Sequence, residues 1–167
     1  MTKKPSFARS ILFTVLVCII FVASFFIVKA FTKPPEKALD FAYATSSGAV
    51  SGLFDKAKVS GAVLIFFDPE VEGSNDVLSR VISNSGDAAV IAVSVSGLEK
   101  QKQLELLPEN AKTLENLCFE SKDIISLYNI GNAPVTYFVN TEFYVTDAFV
   151  GNIKDSTIKK CVEKFNK

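Results

Sequence analysis

Four carboxylates, Asp68, Glu70, Glu72 and Asp76, crowd nine residues immediately after the apolar run Val63 to Phe67. Oxygen ligands at that density raise the question of a calcium loop. Asp68, Glu70, Glu72 and Gly73 do fall at positions 1, 3, 5 and 6 of a D-x-D-x-D-G pattern. The pattern then breaks, with Asn75 at its hydrophobic position and Ser79 where a bidentate glutamate belongs. No metal is expected there. Two other roles remain: solvated acids favourably placed near a helix N-terminus, or an acidic recognition lip for a basic partner.

The chain has no histidine, which removes imidazole general-base catalysis and histidine-ligated zinc or iron. Its 3 cysteines, at positions 18, 118 and 161, form no C-x-x-C pair, so zinc ribbons and dithiol motifs are excluded. Cys118 and Cys161 could pair in an oxidising exterior, or stay as buried thiols acting as small apolar residues. Nothing in the composition implies a cofactor.

The 18 basic and 18 acidic residues cancel, but unevenly, because residues 1–31 hold Lys3, Lys4, Arg9 and Lys29 and no acid. Beyond them 14 basic residues face 18 acidic ones, a formal net of −4. That acidity argues against a nucleic-acid partner. Ser10 to Val28 is a run of 19 residues without a charge. At 1.5 Å per residue it matches the ~30 Å hydrocarbon core of a bilayer. The run exceeds a signal-peptide core, and Lys29-Ala30-Phe31-Thr32-Lys33 offers no A-x-A-like cleavage site, so it reads as an uncleaved signal anchor. The expected organisation is a cytoplasmic N-terminus (1–9), a transmembrane anchor (10–28), a linker stiffened by Pro34 and Pro35 (29–37), and one extracytoplasmic domain (38–167).

Within that domain, Asp40 to Thr45 and Ala49 to Leu53 read as a hairpin around Ser46-Ser47-Gly48. Ala62 to Phe67 and Ala88 to Val95 have the continuous apolar pattern of strands covered on both faces. Between them, Val77, Leu78, Val81 and Ile82 share one face of a helix that Ser74 or Asn75 could cap and that ends near Asn84. Glu99 to Leu107 is a helix stopped by Pro108, Ala111 to Leu117 a further short helix leading to an edge strand near Cys118, and Ser121 to Tyr128 another. A second hairpin, Pro134 to Asn140 with Tyr144 to Val150, precedes an amphipathic helix over Asp155 to Phe165. These elements imply an α/β fold, a central mixed β-sheet with helices on both faces.

Several of these segments, in this order, resemble the thioredoxin-like superfamily, and specifically its membrane-anchored TlpA-type and redoxin-like domains. Leu39-Asp40-Phe41 with Val50-Ser51-Gly52-Leu53 is similar to that group's opening hairpin. Val63 to Phe67 is similar to its first core strand, and Glu99 to Glu120 occupies the place of its insertion. Tyr128-Asn129-Ile130-Gly131-Asn132-Ala133-Pro134-Val135-Thr136-Tyr137-Phe138-Val139 resembles the segment carrying the family's cis-proline, and Gly151 a glycine near its last strand.

The resemblance implies a thioredoxin-like fold behind one transmembrane helix, and a cis peptide bond before Pro134. It also sets Val71 and Ser74 where the family carries its two catalytic cysteines. Dithiol exchange needs a thiolate nucleophile and a second thiol to release the mixed disulfide, and neither residue supplies one. A peroxiredoxin pattern counted from Pro69 fails too, since Gly73 and Asp76 stand where threonine and cysteine are required. The expected binding residues are Ala133 and Pro134 with Asp68, Glu70 and Glu72. The expected role is to hold an extracytoplasmic protein or peptide without chemistry, or to serve as a structural subunit of an envelope assembly anchored by residues 10–28. The alternative is a thiol-disulfide oxidoreductase using Cys118 or Cys161 in a displaced site.

Overall fold

A computed structural model describes residues 36–119 and 122–165. Its centre is β3 (Ala62–Phe67), whose six residues are all fully buried. Alternation along the strand sends Val63, Ile65 and Phe67 into one hydrophobic cluster and Ala62, Leu64 and Phe66 into another, so the sheet carries a core on each face. A fully buried Leu or Phe contributes about 1.5–3 kcal/mol relative to exposure.

Strands β4 (Ala89–Ser94), β5 (Leu117–Cys118), β6 (Val135–Val139) and β7 (Val145–Val150) complete a five-stranded sheet in the order β5-β4-β3-β6-β7. The pairs β3·β4 and β4·β5 are parallel; β3·β6 and β6·β7 are antiparallel. The mixed sheet read from the sequence is therefore present. A separate two-stranded sheet pairs β1 (Ala42–Ala44) with β2 (Val50–Gly52), as the opening hairpin required. Upstream of β1, Lys37 bridges Tyr144, and Ala38 N–H donates to Phe143 O at 2.7 Å.

One element was not legible. Helix α1 (Leu53–Ser60) follows β2 without a loop, and it buries only Leu53 and Ala57 fully. Two apolar positions one turn apart among lysines make too weak a periodic signal. An aromatic contact adds to these, Phe54 stacking on Phe143 at 4.2 Å between ring centroids.

Helix α2 (Ser74–Asn84) turns Val77, Leu78 and Val81 inward and packs against α4 (Glu109–Lys112) and α6 (Asp155–Val162). Neither Ser74 nor Asn75 caps it. Gly73, at φ +76°, holds the N-cap position, which frees both side chains for other bonds. Helix α3 (Lys100–Leu106) ends before Pro108, as expected. The helix expected over Ala111 to Leu117 shrinks to α4, because Asn116 is drawn into the core. Its side chain donates to Val90 O at 3.3 Å and accepts from the Tyr43 hydroxyl at 3.0 Å. Helix α5 (Lys122–Leu127) leads into the segment before Pro134.

Cys118 and Cys161 are both buried, but Cys118 belongs to one core cluster and Cys161 to the other. The sheet lies between them, and no disulfide joins them. Among the described residues no helix is long and apolar enough to cross a membrane. The anchor expected at 10–28 lies outside those residues.

Candidate functional site

Parallel strands β3 and β4 end side by side, and their C-terminal ends open onto one corner of the domain. Such crevices outside strand ends are where open α/β sheets bind ligands. From β3 the chain enters the 68–73 turn. Asp68 Oδ1 accepts from Glu70 N–H at 3.0 Å, and Val71 N–H donates to Asp68 O at 3.1 Å. Ser74, fully buried, accepts from Asp68 N–H through Oγ at 3.0 Å. Asn75 donates through Nδ2 to Leu106 O at 2.9 Å, fastening the start of α2 to the end of α3.

Facing this turn is the segment that enters β6. Tyr128 anchors it by donating its hydroxyl to Leu39 O at 2.7 Å, and burial raises the Tyr128 pKa above its ordinary 10.0. Ile130 N–H donates to Ile125 O, and the Ala133–Pro134 peptide bond is cis, as the resemblance implied. Pro134 itself is buried, its carbonyl accepting from Gly151 N–H at 2.8 Å. Among the described residues, no hydrogen bond takes up the N–H or C=O of Ala133.

Turn and segment together enclose a groove of about 510 Å³, lined by Asp68, Val71, Val95, Ile125, Ile130 and the 131–133 loop. Of the residues singled out in the sequence, Asp68, Val71 and Ala133 meet in this groove. Ser74 and Pro134 lie buried beside it. Glu70 and Glu72 are exposed on the turn, and Glu70 Oε2 accepts from Ser96 Oγ at 3.1 Å. Among the described residues none of Asp68, Glu70, Glu72 and Asp76 joins an ion pair. Val95, Ile125 and Ile130 were missed as groove residues. Their signal was position, just past a strand end or at a helix end ahead of the proline, and not residue type.

No cysteine lines the groove. Cys118 and Cys161 are 3% and 2% exposed. Burial, and then the Asp147 carboxylate, push the Cys161 thiol up to about 11.

No protein-family model matches the chain, and no curated protein does. Solved structures do. A thiol:disulfide interchange protein of the thioredoxin family from Chlorobium tepidum superposes with a TM-score of 0.63 at 14% identity, covering 78% of this chain and 96% of that one. The fold is thioredoxin-like. StoA from Bacillus subtilis gives 0.60 at 17% identity over 76% of this chain and 98% of its own. The pneumococcal exposed lipoprotein thioredoxin from Streptococcus pneumoniae gives 0.59 at 16%, over 75% and 99%. On this thioredoxin-like frame the groove lies at the N-terminus of α2, with Val71 on its wall.

Proposed function

We propose that this chain is a membrane-tethered, extracytoplasmic thioredoxin-like module that holds an extended protein segment and performs no dithiol chemistry. The observation that carries the reading is the pairing of Val71 with Ala133 on one groove, with Ala133 keeping both backbone groups unpaired among the described residues. A free N–H and C=O beside an open groove suit an added extended strand, which is held by main-chain bonds and needs no thiol. Val71, 41% exposed, offers an apolar contact where a nucleophile would otherwise stand. Residues 10–28 serve as the anchor and residues 1–9 stay cytoplasmic.

Two experiments on the full-length chain test this. It should neither reduce insulin nor exchange with glutathione, and turnover at either would overturn the reading. Turnover abolished by substituting Cys118 or Cys161 would assign the chemistry to a displaced thiol site instead. A photo-crosslinker at position 71 or 133 in intact cells should capture an extracytoplasmic protein, whereas an equal yield from exposed Val59 would count against a specific groove.

A further inference from the structure

The groove does not end at the cis-proline corner. A second lobe of about 560 Å³ continues it, and the two share Val95 and Ile125 as a common floor. This lobe runs between the 95–98 loop, which leaves the end of β4, and the first turns of α5, reaching Phe119 and Lys122. Val95, Ile125 and Phe119 are each only partly buried, and Ile125 belongs to neither core cluster. An apolar floor with that exposure costs free energy until something covers it.

Charge is graded along the channel. At the turn end stand Asp68, Glu70 and Glu72 with no ion-pair partner among the described residues. Glu70 sits at the junction of the lobes, since Ser96, which donates to its carboxylate, lines the second lobe. At the far end Lys100 lies over the Phe119 ring, 5.5 Å from its centroid, and Lys122 lines the wall beside Asp123. The turn end thus carries three carboxylates and no lysine, whereas the far end sets two lysines against the single carboxylate of Asp123.

We infer that the occupant is an extended basic peptide segment. It places a lysine or arginine against the Glu70 and Glu72 lip and a large apolar side chain on the Val95–Ile125–Phe119 floor. This rests on the peptide-holding reading above and adds the chemistry of what is held. An extended chain advances about 3.3 Å per residue with side chains alternating in direction, so one strand can present both groups while pairing with Ala133. Carboxylates at the lip then govern selectivity and salt dependence, and the apolar lobe governs residence on the surface.

The test is fluorescence anisotropy with the full-length chain and dye-labelled alanine-based peptides carrying lysine and leucine, glutamate and leucine, or lysine alone. The lysine–leucine peptide should bind about tenfold more tightly than either of the others, and its advantage over the glutamate peptide should shrink as salt screens the lip. Glu70→Gln with Glu72→Gln should erase the lysine preference, and Ile125→Ser the leucine preference. The peptide-side comparison on the unaltered chain needs no variant and stands if Ile125→Ser fails to fold. Equal binding of all three peptides would overturn this inference and leave the peptide-holding reading intact. Binding of none would overturn both, and a concentration-dependent dimer in that case would give the groove to a second copy of the chain.

Discussion

Val71 and Ser74 are joined by a backbone hydrogen bond, Ser74 N–H to Val71 O at 3.1 Å. A turn closed in this way keeps its end Cα atoms within about 7 Å, the range a disulfide spans. Position 71 is 41% exposed and position 74 fully buried, an asymmetry that suits an attacking and a resolving thiol. Val71→Cys with Ser74→Cys should therefore form an intramolecular disulfide, read as a loss of two hydrogens in the mass of the oxidised chain. A pair that stays reduced under a disulfide-forming buffer would refute the equivalence of these positions with the family's cysteines.

Ser74 also acts on its own. Its Oγ is the acceptor for Asp68 N–H, at the point where β3 becomes the turn. Ser74→Ala leaves that partly buried donor without a partner and should cost about 1–3 kcal/mol in urea denaturation. Ser74→Thr, which keeps the oxygen, should recover part of the loss if its extra methyl is accommodated. An alanine variant as stable as the parent would show that water replaces the hydroxyl.

The sheet was legible because its central strands are nearly uniform: Ala62–Phe67 is apolar from end to end and Ala89–Ser94 is apolar up to its final serine, and only a doubly covered strand requires that. Leu53–Ser60 was not, since only Leu53 and Ala57 are fully buried, and the Phe54–Phe143 stack that adds to them joins residues far apart in sequence. The helix expected through Leu117 failed for the same reason, Asn116 being claimed by Tyr43 and Val90. At the site, Asp68 could be named from the crowding of carboxylates after β3, and Val71, Ala133 and Pro134 because a family resemblance singled them out. Val95 and Ile125 carry no chemical signature, and only the meeting of β4 and α5 at the same corner makes them a floor.

Gly61 connects α1 to β3 at φ +75°, and a Cβ there would lie 2.2 Å from Cδ2 of Phe165. Gly61→Ala thus meets two separate penalties. A backbone at φ 75°, ψ 170° is essentially open to glycine alone and costs another residue about 1–3 kcal/mol, and the clash displaces a ring that is 2% exposed and packed against Phe138. Phe165→Ala alone should cost about 3–5 kcal/mol through its cavity. In a double-mutant cycle the pair should lose less than the sum of the single changes, because the truncated residue no longer clashes. Strict additivity in urea denaturation would show that the ring does not approach Gly61.

Cys161 supplies a pH-dependent prediction of known sign. Its thiol titrates near 9.0 ordinarily and is pushed up to about 11 by burial and by Asp147. In the unfolded chain it loses its proton first, so deprotonation pulls the equilibrium toward unfolding. The stabilisation is whole below about pH 9 and is lost as pH rises through about 11. Tyr43, raised from 10.0 to about 12 chiefly by burial, adds a second loss at higher pH. Denaturation midpoints should fall across this range, and Cys161→Ala should flatten the portion between pH 9 and 11 while leaving the tyrosine portion. At pH 8 iodoacetamide should label Cys161 far more slowly in the native chain than in urea, because the reactive thiolate is scarce and the sulfur is buried. Rapid native labelling would mean that α6 opens, and would reinstate Cys161 as a reactive thiol.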